Sequence, residues 1–113
     1  MKAQFKEFYE VEKLEELFKA SHNKPVVFFK HSMTCPISKN VLREIAEVDS
    51  EIWLMVVQDA RKVSNAFAEK TGIKHESPQT VVIKDGKPIY NASHYDATAS
   101  DVESVISEFE AVK

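Results

Sequence analysis

Two short apolar runs do most to limit what this chain can fold into: Val26-Val-Phe-Phe29, entered through Pro25 and closed by Lys30, and Ile52-Trp-Leu-Met-Val-Val57. Both are rich in β-branched and aromatic residues, and neither alternates apolar with polar. Such runs fit strands buried on both faces, which calls for a parallel sheet covered by helices above and below. Pro25 stands at the first position of its strand, where a missing N–H is tolerated. Both runs are far too short to cross a bilayer. Lys2, Lys6, Glu7, Glu10 and Glu12 interrupt the apolar stretch that a leader would need, so the expected location is the cytoplasm, with no membrane partner.

The segments between and after these runs complete an α/β pattern. Leu14, Leu17 and Phe18 lie at helical spacing within 11–21, and Asn23-Lys24-Pro25 ends that helix. Ahead of it, Phe5 to Glu10 reads as a short edge strand or as a helical turn, Phe5 and Phe8 being three apart. Val41, Leu42, Ile45 and Val48 form one stripe of a helix over about 36–48, with Pro36 in its first turn. A shorter helix over 64–71 can be closed by Gly72 in the left-handed conformation. Thr80-Val-Val-Ile-Lys84 and Pro88-Ile-Tyr-Asn91 flank Asp85-Gly86, a strong hairpin signal, and Pro88 argues that the second strand is an edge. Ser100 with Glu103 reads as a capping box for a last helix whose face is Val102, Val105, Ile106 and Phe109. The expected order is (β)αβαβαββα, one domain over 1–113.

Composition excludes several function classes. With 43% hydrophobic and 29% charged residues the chain reads as an ordinary globular protein. Acidic residues outnumber basic ones 18 to 15 and no basic stripe exists, so nucleic acid is not an expected partner. The chain has a single cysteine, Cys35, which rules out an internal disulfide and a cysteine-based metal site; no metal is expected.

Cys35 is followed by Pro36 and lies where the 36–48 helix begins. Free N–H groups and the dipole at a helix N-terminus stabilise an anion, which lowers a thiol pKa from ~8.5 towards ~3.5–7.5. A pKa near ~6 raises the thiolate fraction at neutral pH roughly 30-fold, while intrinsic nucleophilicity falls about tenfold. Attack therefore gains little, and the larger benefit is to the sulfur as a leaving group when a second thiol resolves a mixed disulfide. The bland alternative is a buried structural thiol, which the helix-start position between Thr34 and Pro36 argues against.

A strand leading into a loop, a cysteine at the next helix start and a later Ser77-Pro78 ahead of an antiparallel hairpin together resemble the thioredoxin fold, with a central mixed sheet of four or five strands flanked by helices on both faces. More narrowly, His31-Ser-Met-Thr-Cys-Pro-Ile-Ser38, the cysteine-free remainder, Glu76-Ser-Pro-Gln-Thr80 and Lys84-Asp-Gly-Lys87 resemble the YtxJ-like family, the monothiol bacilliredoxins.

That resemblance implies a low-G+C Gram-positive cytoplasm and proteins S-thiolated by bacillithiol, the cysteinyl glucosamine malate thiol. Cys35 would attack that disulfide and carry bacillithiol until a second bacillithiol or a bacillithiol-linked reductase resolves the adduct. Bacillithiol would serve as co-substrate, with no cofactor bound. Thr34, Pro36, Ile37 and Ser38 would frame the thiolate. Ser38, at the position of the resolving cysteine in dithiol relatives, would offer its hydroxyl and N–H to the sulfur; the bland alternative is a plain helix serine bonded to its own backbone. Ser77, cis-Pro78 and Gln79, with Lys30 and His31, would form the side that receives substrate or thiol. No carboxylate lies between Lys24 and Cys35, so the buried acid of thioredoxins has no counterpart, as suits a protein without a resolving thiol.

His31 near the sulfur would favour thiolate when protonated, although a loop histidine is more often simply solvated. Lys30, Lys39, Arg43, Lys74 and His75 could meet the carboxylates of a malate-bearing thiol, and each alone reads as a solvated surface charge. Trp53, Phe28, Phe29 and Phe67 read as core. Two other functions compete: a non-catalytic module holding an extended peptide at the Pro78 groove, and iron–sulfur carriage as in monothiol glutaredoxins. Those carriers have a glycine after the cysteine and a late Gly-Gly pair, whereas this chain has Pro36 and only Gly72 and Gly86.

Overall fold

The computed structural model describes residues 2–110. The elements run β1 (Gln4–Glu7), α1 (Val11–Ala20), β2 (Val26–His31), α2 (Pro36–Ile45), β3 (Glu51–Val56), α3 (Arg61–Thr71), β4 (Gln79–Lys84), β5 (Lys87–Ser93), a 3₁₀ turn (His94–Asp96) and α4 (Ala99–Glu110). Five strands form one mixed sheet in the order β1-β3-β2-β4-β5. β1 and β2 run parallel to β3, and β4 runs antiparallel to both β2 and β5.

The period-two geometry of the strands sorts the core into two layers. Val26, Phe28, Met55, Val81 and Ile83 face α1 and α3, where they meet Leu14, Phe18, Val63 and Phe67. Val27, Phe29, Ile52, Leu54 and Val82 face α2 and α4, where they meet Val41, Ile45 and Val102. β2 is central and buried at all six positions. Its continuous apolar run is thus explained, and the two-sided α/β architecture matches the expectation.

Several boundaries differ from the pattern-based ones for identifiable reasons. Of the 5–10 segment only the part up to Glu7 lies in the edge strand paired with β3; Phe8 has left it and packs into the core, its ring centre 6.1 Å from that of Phe28 and 6.0 Å from that of Trp53. α2 stops at Ile45 because the next turn tightens: the N–H groups of Glu47 and Val48 bond to the carbonyls of Glu44 and Ile45, three residues back. The apolar stripe runs on through Val48 although the α-helix does not. α3 begins at Arg61, a turn earlier than Ser64, without any side-chain cap to mark its start. Its end is at Gly72, φ 74°.

The Ser100–Glu103 capping box is not formed. Thr98 caps α4, its Oγ1 accepting the Asp101 N–H at 3.1 Å, while the Glu103 carboxylate accepts the N–H of Asp49. Trp53 is only half-buried, with Lys6 and Lys13 ammonium groups 5.5 and 4.8 Å from its ring. Asp85 and Gly86 both have positive φ, 54° and 74°, as a type I′ hairpin turn requires. The turn is held to the end of α1 by Asp85 N–H to Ser21 O and Gly86 N–H to Ser21 Oγ.

Candidate active site

The sheet topology brings two loops to one end of β2. The chain leaves β2 at His31, crosses Ser32–Thr34 and reaches Cys35, the residue directly before α2. β4, antiparallel to β2, enters at the same end, so Lys30 stands opposite Gln79 and the cis Ser77–Pro78 bond lies just ahead of it.

Cys35 has extended backbone, φ −103° and ψ 116°, and its carbonyl accepts the first helical bond from Lys39 N–H. Pro36 at the first helical position suits this start, since its fixed φ fits and no donor is lost. The N–H groups of Ile37 and Ser38, in the first turn, have no intrahelical acceptor and stand at the positive end of the helix. The thiol is half-exposed and free, and it makes no capping bond of its own. Met33 and Ile37, two residues to either side of it in the chain, are exposed apolar side chains.

Side chains fix the loop. Ser38 is fully buried on the inner face of α2, and its Oγ accepts the Ser32 N–H at 3.0 Å and lies 2.7 Å from His31 Nδ1. Gln58, just after β3, accepts the Met33 N–H at 3.1 Å through Oε1. Its Nε2 donates to Ser32 Oγ at 3.0 Å and to Thr34 Oγ1 at 3.4 Å. The Ser38 hydroxyl is therefore committed to the loop, not to the sulfur or to its own helix. His31 is not a solvated loop residue: it ends β2, is buried, and stacks on Phe29.

On the opposite face of the sheet a second polar group is buried. Lys30 is 1% exposed, which overturns its reading as a surface charge. Its Nζ lies 3.2 Å from His75 Nδ1 and 5.1 Å from the ring centre of Phe67, and Ser64 Oγ lies 3.1 Å from the same His75 nitrogen. Burial pushes the Lys30 amine down to about 8. Gln79 is also buried, its Nε2 donating to Lys74 O and its Oε1 without a partner. Lys39, Arg43 and Lys74 are exposed. Among the described residues no group of three His, Cys, Asp or Glu side chains is placed to hold a metal ion, and no helix is long and apolar enough to cross a membrane.

Both site histidines are held below the ordinary histidine range. For His31 the main cause is burial, helped by the Lys39 charge and opposed by Glu7; His75 is an exposed residue, as expected from the sequence, and for its ring the main cause is the partial desolvation where Nδ1 meets Lys30 and Ser64, helped by the Lys30 and Arg61 charges and opposed by Glu76. A histidine whose folded pKa is depressed contributes stability above its ordinary value of 6.5, and that stability is lost as pH falls from there towards the folded value. Urea midpoints are accordingly expected to drop between about pH 7.5 and about pH 5, with a smaller drop in His31→Asn. Equal slopes for the two proteins would remove His31 from this account.

Gln58, Arg61 and Ser64 were not legible as site residues. Gln58 carries no motif. The burial of Lys30 does have a signal, because it takes the next inward position after Val26 and Phe28 in a two-residue period.

A family model described as monothiol bacilliredoxin BrxC matches residues 6–102. A solved structure described as a proposed oxidoreductase with a thioredoxin fold is 31% identical, covering 91% of this chain and 92% of that one, with a TM-score of 0.80. Reduced Schistosoma mansoni thioredoxin pre-protein is 21% identical over 94% of this chain and 98% of its own, TM-score 0.69. A mutant thioredoxin from Halobacterium salinarum is 13% identical over 95% and 91%, TM-score 0.71, a likeness of fold.

Proposed function

The chain belongs to the monothiol bacilliredoxin family and is a thiol-disulfide oxidoreductase, and from that premise we propose that it removes bacillithiol from S-bacillithiolated proteins through Cys35. The observation that carries the reading is the pairing of a lone accessible thiol at the start of α2 with a buried serine, Ser38, one helical turn on.

The Cys35 thiolate attacks the bacillithiol sulfur of the mixed disulfide. A Cys35–bacillithiol disulfide forms, and the substrate cysteine leaves as a thiolate that takes a proton from water. Ser38 cannot displace the adduct, so the carried thiol stays until an external thiolate attacks it. When that thiolate is a second bacillithiol, the products are bacillithiol disulfide and free Cys35; a bacillithiol-linked reductase can act in its place. Each step exchanges one S–S bond for another, and the electrons that reduce the substrate come from the external thiol. Ile37 and Ser38 N–H groups stabilise the sulfur anion, the Gln58 and Ser38 bonds hold the loop, and Ser77 with the cis-Pro78 turn lines the approach, whereas Gln79, expected to join them, is buried and holds the Lys74 carbonyl instead.

Intact mass spectrometry of the protein mixed with a bacillithiol-modified protein tests this. One bacillithiol mass is expected on Cys35, with loss of that mass from the substrate and its clearance by free bacillithiol. A substrate that stays modified beside a free Cys35 would remove the reading and favour the peptide-binding one.

A further inference from the structure

A cavity of about 170 Å³ opens beside the start of α3, lined by Val57, Gln58, Arg61, Ser64, Asn65 and His75. It has roughly the volume of six waters. Its lining carries no carboxylate, and Arg61 makes no ion pair among the described residues. Behind the His75–Ser64 wall lies Lys30, whose ammonium group also meets no carboxylate among the described residues; the neighbouring Glu76 is engaged by Ser93 Oγ. A cation taken out of water without a counter-ion is costly, and an anion in the adjoining space would offset that cost. The positive end of α3 points the same way. Gln58 is at once a wall of this cavity and the anchor of Met33 and Thr34, so the cavity adjoins the loop that carries Cys35.

We propose that this cavity is the subsite for the carboxylate-bearing arm of the small thiol exchanged at Cys35, with Arg61 as the direct cationic partner and Lys30, through His75, as the charge behind it. The inference rests on the exchange function proposed above and adds the residues that would select an acidic thiol over a neutral one. By contrast, the wider hollow between α2 and α4 is lined by Glu44, Glu103 and Glu108 and would repel the same group.

The test compares Cys35 loading from mixed disulfides that carry bacillithiol or cysteinyl glucosamine, which lacks the malate arm, and clearance of each adduct by the corresponding free thiol, in the full chain. The parent protein is expected to prefer bacillithiol, and Arg61→Gln to lower that preference about tenfold, the worth of one charge-assisted hydrogen bond, with partial recovery in Arg61→Lys. Arg61 is exposed, so these variants should fold, and far-UV circular dichroism would check it. Titration with L-malate is expected to shift the His75 ring resonances, and less so in Arg61→Gln. If both thiols react equally in the parent protein, the subsite is overturned while the exchange function stands. If neither thiol loads, the exchange function fails, and malate decides the cavity alone: a His75 shift upholds an anion site, and none overturns it. If Arg61→Gln slows both thiols equally when they are presented on an acidic protein, the cavity belongs to a substrate side chain and the assignment is overturned.

Discussion

The Cys35→Ala protein is expected to fold as its parent does and to accept no thiol. Cys35 is half-exposed and free and its side chain makes no capping bond, so its loss removes little packing and leaves no buried polar group without a partner. The change in stability should stay within about 1 kcal/mol. No other thiol exists in the 113 residues, so no second site can take over. Intact mass should show no adduct at any substrate concentration, and the bacillithiolated substrate should keep its modification. Cys35→Ser should behave alike, since an oxygen at that position cannot form the disulfide. Continued clearance of the substrate by either variant would mean that the exchange bypasses Cys35 and would overturn the mechanism.

The loop explains why the reaction would depend so narrowly on one atom. Ser32, Met33 and Thr34 are each bonded to Ser38 or Gln58, and the Cys35 N–H bonds to Ser32 O at 3.4 Å. These bonds limit the positions the sulfur can take relative to the first-turn N–H groups of α2, and such pre-organisation avoids an ordering cost at the moment of attack. Ser38 thus has a structural reason to be polar. Deleting its hydroxyl would leave the Ser32 N–H without its acceptor inside the protein, which costs about 1–3 kcal/mol.

What the sequence made legible follows from how local the signal is. The β2 run, the Asp85-Gly86 turn and the Gly72 stop are each dictated by a few adjacent residues, and all three are where the pattern puts them. The placement of Cys35 at a helix start needed only a strand, a loop and a proline. Signals that depend on partners distant in sequence were misread or not visible. Thr98 competes with Ser100 for the same helix start and wins because Glu44, 55 residues away, takes the Ala99 N–H and Asp49 takes Glu103. Gln58 matters only because β3 ends beside the Cys35 loop. The Ser38 hydroxyl is drawn from the sulfur by His31, whose own burial depends on α2 packing over β2. The resemblance to bacilliredoxins pointed to Cys35 as the proposed reacting residue, but not to the cavity behind Gln58.

Lys30→Met is expected to make the protein more stable at neutral pH. The Lys30 ammonium group is buried, meets His75 but no carboxylate among the described residues, and its pKa is lowered from 10.5 to about 8. Below that value both the folded and the unfolded chain carry the proton, so the folded state bears the full cost of the buried charge, roughly 3 kcal/mol. Between about 8 and 10.5 the unfolded chain binds a proton that the folded one has released, so the stability of the parent rises with pH across that window. Methionine keeps the length and most of the apolar contact with Phe67 and leaves His75 with Ser64 as a partner. Urea denaturation should therefore show a gain of about 2–3 kcal/mol at neutral pH that shrinks towards zero near pH 10.5. A less stable variant at neutral pH, or a gain independent of pH, would show that the amine is already compensated inside the protein. A residue that costs this much where a methionine would fit is the kind found where function sets the requirement. The same substitution should weaken L-malate binding at the Arg61 cavity, which ties the stability cost of the buried amine to the selection of an acidic thiol.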